Sequence, residues 1–227
     1  MSAEPEIEPT GPALPAAVLW DMDGTLVDTE PYWIACEREL VARYGHEWSD
    51  EDAHAMVGNP LLLSAEIMRE RGHVPLPAER IVEVLLDGVV ARVREHVPFR
   101  PGARELLEGL IAAGVPCALV TMSYRRFTDA VVEALPPGSF DVVVPGNEVT
   151  HGKPHPEPYL TAAARLGVAP EDCVAIEDSP TGVASAVAAG VPTLAVEHLV
   201  PISPGPGRTI VHTLDTWTPE DLAKLLG

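Results

Sequence analysis

Five short stretches of the chain are mostly apolar: 16–20 (AAVLW), 115–121 (VPCALVT), 140–144 (FDVVV), 173–176 (CVAI) and 193–196 (TLAV). Each is bounded by Gly, Pro or polar turn residues, and none is long enough for a typical helix. This is the pattern of strands buried on both faces of a parallel sheet. Between them, apolar residues recur at helical spacing over about 102–113, 124–135, 157–166 and 183–189, and Gly114, Gly167 and Gly190 mark three of the ends. A short TIVH and a helix over 219–226 close the chain. Strands alternating with helices predict an α/β protein with a doubly wound, Rossmann-like parallel sheet.

One connection does not fit that alternation. A crossover between parallel strands takes roughly 30 residues, yet more than 90 separate Trp20 from Val115. The surplus reads almost entirely as helix: 31–44, with Trp33, Ile34, Leu40 and Val41 as apolar positions, then 50–56, 60–71 and 77–96. Ser49 is placed to cap the second of these, with Asp52 three residues on. The expected organisation is a disordered, Pro/Glu-rich leader (1–15), a core built from 16–31 and 98–227, and an inserted all-helical cap domain over 32–97.

Composition narrows the partners. A formal net charge of -19 argues against nucleic acid and against anionic membrane surfaces. No segment has the length and apolarity of a membrane span or of a signal peptide. The three cysteines, Cys36, Cys117 and Cys173, are scattered and show no metal-type spacing. A soluble, cytoplasmic protein is expected, with a monomer as the default. Lysine is nearly absent, with only Lys153 and Lys224 against thirteen arginines, so a lysine deep in the chain invites a question.

The polar residues that interrupt the apolar strands fall at their carboxyl ends, where ligands gather in open α/β sheets. Asp21 and Asp23 follow the first strand, Thr121 and Ser123 the second, Lys153 lies in the loop after the third, and Glu177-Asp178 follow the fourth. Taken singly each has an inert reading: an Asp-Gly turn, a strand-end hydroxyl, a solvated loop lysine, an acidic helix cap. Two carboxylates two residues apart repel one another unless a cation or a shared proton offsets the cost. Four strands delivering such groups to one edge form a constellation more specific than any member.

These residues resemble the motifs of the haloacid dehalogenase superfamily. Asp21-Met22-Asp23-Gly24-Thr25 matches its Asp-x-Asp-Gly-Thr motif, Thr121 its strand-end hydroxyl, Lys153 in GKPHPEPY its lysine, and Glu177-Asp178 in EDSPTG its acidic pair. The helical insert resembles the subgroup of small-molecule phosphatases and phosphosugar mutases. The resemblance implies Asp21 as the nucleophile, giving an aspartyl-phosphate, and Asp23 as the acid/base, with crowding beside Asp21 a reason for a raised pKa. It implies Mg2+ held by Asp21, the backbone carbonyl of Asp23 and Asp178, with Glu177 a weaker candidate behind them. Thr121, the Met122 backbone N–H, Ser123 and Lys153 would hold phosphoryl oxygens, and Arg125 is a candidate for the leaving group.

The implied function is hydrolysis of a small phosphorylated metabolite. A mutase of the beta-phosphoglucomutase type is the alternative, but the cap histidine and arginine of those enzymes are matched here by Trp33 and, after Gly58, by Asn59-Pro60-Leu61. A catalytically silent binding protein is a further alternative. His46, His54 and Arg69 in the cap, and Arg126, carry no assigned role. His151 and His155 flank Lys153, but a four-residue spacing across two prolines is not helical, which argues against a histidine metal site.

Overall fold

The computed structural model describes residues 14–56, 59 and 61–226. Residues 1–13 of the expected leader, and Gly58 and Pro60 of the mutase comparison, lie outside the described residues. The chain divides into two compact units, one built from 14–26, Phe99–Ser123 and 138–226, the other from Val27–Pro98 and Tyr124–Pro137.

The first unit is a six-stranded parallel sheet: β1 (Ala17–Trp20), β2 (Cys117–Val120), β3 (Val142–Val144), β4 (Cys173–Glu177), β5 (Thr193–Val196) and β6 (Arg208–Val211). The strand order is β3-β2-β1-β4-β5-β6. All four residues of β1 are completely buried, as are Val174, Ala175 and Ile176 of β4. The first three residues of TIVH, read only as a short closing segment, belong to the edge strand β6. The strand expected over 140–144 begins two residues later, because Asp141 turns its carboxylate back to accept the Cys117 N–H at 3.1 Å.

Helices α5 (Ala103–Ala112), α7 (Glu157–Leu166), α8 (Pro180–Ala188) and α9 (Pro219–Ala223) accompany the sheet. Tyr159, Ala162 and Ala163 of α7 and Ala186 of α8 join Leu19, Val120 and Ala175 in one buried cluster. Small residues there let the helices lie close to the sheet. Ser179 caps α8 by accepting the Gly182 N–H at 3.0 Å.

Strand order and register position the chemistry. The chain runs outward from β1 to β3 and then returns to place β4 on the other side of β1, so β1 and β4 flank the topological switch point. Trp20 pairs with Leu119 on one side and with Ile176 on the other. The next residue along each strand is Asp21, Val120 and Glu177, and these three therefore stand level at the carboxyl edge.

The second unit is helical: α1 (Glu30–Ala42), α2 (Asp50–His54), α3 (Leu61–Glu70), α4 (Ala78–Glu95) and α6 (Arg125–Glu133). Its spine is α4, which buries Ile81, Val82, Leu85, Leu86, Val89, Val90 and Val93 along one face. Ser49 caps α2 by accepting the Asp52 N–H at 3.1 Å. The helix α6, placed in the core by the sequence, groups here with α4. Its Phe127 ring meets Trp33 of α1 edge-on at 5.6 Å. Glu37 is buried on α1 and accepts a 3.1 Å hydrogen bond from Trp48 Nε1. Among the described residues no helix is long and apolar enough to cross a membrane, and the three cysteines are buried free thiols.

Candidate active site

Lys153 arrives on the loop between β3 and α7, with its side chain only 4% exposed. Its ammonium donates three hydrogen bonds, to Asp21 Oδ1 at 2.6 Å, to Glu177 Oε1 at 2.6 Å and to the Val120 carbonyl at 2.9 Å. These acceptors are the three residues that the register sets level, so one cation spans the ends of β1, β2 and β4. An ammonium carries three protons, and all three are engaged. Burial disfavours the charged lysine, but Asp21 and then Glu177 outweigh it and hold the pKa above its ordinary value.

Asp21 is thereby fixed through one oxygen. The other, Oδ2, is buried and has no hydrogen-bond partner among the described residues. A buried acceptor without a protein partner is costly unless a cation or a substrate atom meets it. Burial pushes the Asp21 carboxyl well above the usual carboxylate range, Glu177 adds to this, and Lys153 opposes it. Burial likewise pushes Asp178 up to about 7, again with Glu177 adding and Lys153 opposing. The edge collects more negative charge than its one lysine balances. Asp21, Glu177 and Asp178 each bring a carboxylate oxygen within 4.8 Å of the others, an all-oxygen donor set of the kind hard divalent cations prefer.

Gly24 provides the space for this grouping. With φ +88°, it sits where a side chain would be strained, and a Cβ there would lie 2.1 Å from Asp178 Oδ2. Thr25, fully buried, approaches Asp178 Oδ1 through its hydroxyl at 3.5 Å.

Glu177 has a different environment from Asp178. It is completely buried and accepts from five donors: Lys153 Nζ, the Tyr159 hydroxyl, the backbone N–H groups of Asp178 and Ser179, and the Ser179 hydroxyl. Both of its oxygens are engaged, which makes it an anchor for Lys153 and for the β4–α8 turn. Gly182 makes room for it, since a Cβ there would stand 1.8 Å from Glu177 Oε1. Gly182 thus accommodates a buried carboxylate.

Asp23 Oδ2 accepts from Ser123 Oγ at 2.7 Å and from Thr121 Oγ1 at 3.2 Å, and the Thr121 hydroxyl also receives the Ser123 N–H at 2.9 Å. The hydroxyls expected to face phosphoryl oxygens thus orient Asp23 as well. The Met122 thioether lies 3.3 Å from the Lys153 N–H and lines the lysine loop. Arg125 belongs to the helical unit, where its guanidinium pairs with Asp129 at 3.2 Å, and Arg126 there pairs with Asp87. The His46 ring lies 4.8 Å from that of His73 with the planes tilted by 53°, His54 Nδ1 lies 2.6 Å from the Asp50 carbonyl, and Arg69 pairs with Glu66 at 2.7 Å.

Sequence reasoning missed Tyr159. Its buried hydroxyl donates to Glu177 Oε1 at 2.8 Å, and its ring lies 5.2 Å from Lys153 Nζ. In the helical pattern of α7 it reads as one more apolar position, so no sequence signal set it apart.

Residues 18–196 match the family described as haloacid dehalogenase-like hydrolase. A phosphorylated carbohydrates phosphatase from Thermotoga maritima is 34% identical over 185 residues, covering 77% of this chain and 82% of its own length. A bifunctional riboflavin kinase/FMN phosphatase from Arabidopsis thaliana is 32% identical over 188 residues, or 82% of this chain; the match spans 49%, about half, of that longer protein. Among solved structures, CbbY from Rhodobacter sphaeroides in complex with phosphate superposes with a TM-score of 0.75 at 26% identity, covering 89% of this chain and 96% of that one. The Asp21-to-Thr25 turn, the Lys153 bridge and the Glu177-Asp178 pair all fall within the matched range. The chain belongs to the haloacid dehalogenase-like hydrolases and is a phosphatase-type member of that family.

Proposed function

We propose that this protein is a Mg2+-dependent phosphatase that hydrolyses a small phosphorylated metabolite through an aspartyl-phosphate on Asp21. The observation that carries this reading is the asymmetry of Asp21: Oδ1 is held by Lys153 at 2.6 Å while buried Oδ2 has no partner among the described residues. The unpartnered oxygen is the one left to bond to phosphorus or to a metal ion.

The donor set fits the ion. Asp21, the backbone carbonyl of Asp23 and the carboxylate of Asp178 would hold Mg2+, and the space at Gly24 keeps Asp178 close. When bound, the ion would neutralise the crowded carboxylates and make the phosphoryl group easier for an anion to approach.

The chain's own groups perform the steps. An Asp21 carboxylate oxygen forms the bond to phosphorus as the bond to the leaving oxygen breaks, and Asp23 delivers a proton to that oxygen. Asp23, oriented by Ser123 and Thr121, then takes a proton from the water that attacks phosphorus, which releases orthophosphate and restores Asp21. Lys153 keeps positive charge beside Asp21 throughout, and Glu177 and Tyr159 keep Lys153 in place. The range 32–97 is proposed as the cap that selects the substrate. The Thermotoga relative, named for phosphorylated carbohydrates, supports testing sugar phosphates first.

The test is phosphate release from an aryl phosphate and from a sugar-phosphate panel. Activity that requires Mg2+, is abolished by EDTA and is absent in Asp21→Asn is expected. Turnover in Asp21→Asn equal to that of the unaltered protein would sink the nucleophile assignment. Isomer accumulation from β-glucose 1-phosphate with a bisphosphate primer, without phosphate release, would replace the phosphatase by a mutase.

A further inference from the structure

Beyond the carboxylate edge, the loop that carries Lys153 gathers a second group of donors. His151, His155 and Glu157 each bring one ligand atom within 4.8 Å of the other two. The four-residue spacing of the histidines is not helical, as the sequence indicates, but the loop turns back on itself. The His155 N–H donates to the Gly152 carbonyl at 3.0 Å, and the two imidazole rings come to lie 4.6 Å apart with their planes 31° from parallel.

Both ends of the turn are held. Glu157, the first residue of α7, accepts the N–H groups of Thr150 at 2.6 Å and His151 at 3.0 Å, and lies 2.8 Å from His151 Nδ1. The Glu157 N–H donates to His155 Nδ1 at 3.2 Å, a hydrogen bond that would have to yield if that nitrogen were to bind an ion. The buried Ser185 hydroxyl donates to the His155 carbonyl at 2.6 Å. The backbone is therefore held on both sides of the turn, and both imidazole rings are exposed.

We propose that His151, His155 and Glu157 form a second metal site, selective for a divalent ion of the zinc type and distinct from the carboxylate site at Asp21 and Asp178. Two imidazoles and one carboxylate suit zinc, whereas the all-oxygen set at the sheet edge suits Mg2+. Bonds of about 2.0–2.2 Å around a tetrahedral ion put ligand atoms roughly 3.3–3.6 Å apart. The 2.8 Å contact of His151 Nδ1 with Glu157 Oε2 is a hydrogen bond that a bound ion would replace, and the third ligand atom, on His155, lies within 4.8 Å of both. Water completes the coordination on the exposed side. The ligands bracket Lys153, so a bound ion clasps the loop on both sides of the lysine that spans β1, β2 and β4. This site does not depend on the phosphatase reading.

The test is calorimetric titration of the full chain with Zn2+ under saturating Mg2+, with thermal melting to show that each variant is folded. One equivalent of Zn2+ is expected, weakened about tenfold or more by His151→Ala and by His155→Ala and unchanged in Asp178→Asn. Absence of Zn2+ binding, binding that survives both histidine substitutions together, or binding lost in Asp178→Asn would overturn the proposal. Co2+ in place of Zn2+ adds a readout of ligand type, since its visible absorption would change in the histidine variants alone.

Discussion

Glu177 Oε1 lies 2.6 Å from Lys153 Nζ, with both side chains withdrawn from solvent. The pair is the joint between the β4 edge and the lysine loop, and Asp21 is held through it. Glu177→Gln leaves Lys153 paired with Asp21 but turns an amide NH2 toward donors that the carboxylate now accepts from, at a cost of roughly 1–3 kcal/mol. Glu177→Gln is expected to lose stability of that order in urea denaturation and to lower turnover together with it. Lys153→Arg is expected to fail as a replacement, because a planar guanidinium does not reproduce three donors converging from one atom. Unchanged stability in Glu177→Gln would remove the anchoring role.

Gly182 and Gly109 make opposite predictions for the same substitution. Both lie in helices, where alanine is favoured over glycine by about 0.5–1 kcal/mol. At Gly109 a Cβ would meet only Pro219, at 3.6 Å, so Gly109→Ala is expected to stabilise by about that amount. At Gly182 it would stand 1.8 Å from Glu177 Oε1, and Gly182→Ala is expected to destabilise by more than about 2 kcal/mol. Urea denaturation of the two variants beside the parent decides the matter, and equal shifts would contradict the packing described for Glu177.

Glu37 gives the helical unit a pH dependence. Burial raises its carboxyl from the model-compound value of 4.5 to about 7, against the opposing hydrogen bond from Trp48. A raised acid binds its proton more tightly folded than unfolded. Its contribution is therefore fully present below about 4.5 and is lost as pH rises through about 7. The difference is of order 3 kcal/mol. Glu37→Gln, which can still accept from Trp48, is expected to be more stable than the parent at pH 8 and to lose this advantage near pH 4.5. Parallel melting curves for the two proteins at every pH would contradict the reading.

Much of this arrangement was legible along the chain because strand ends are. Asp21, Thr121 and Glu177 each terminate an apolar run, and the Ser49 cap sits where its helix begins. What the sequence withheld depends on contacts between distant residues. Glu177 reads as a spare metal ligand until its donors, among them Tyr159 and Lys153, are seen to converge on it. Tyr159 is invisible within an apolar helical face, and α6 follows β2 in sequence yet packs with α4. The pairing of His151 with His155 follows from a turn closed by the Gly152 carbonyl, which no helical or strand period encodes.

Covalent chemistry at Asp21 is the centre of the account, and an acyl phosphate can be caught by reduction. The protein would be mixed with a turned-over sugar phosphate and Mg2+, quenched, treated with borohydride and digested for peptide mass spectrometry. Homoserine at position 21, dependent on substrate and absent from Asp21→Asn, is the predicted result. Phosphate release at full rate with position 21 unmodified, or with the reduced residue found elsewhere, would contradict it.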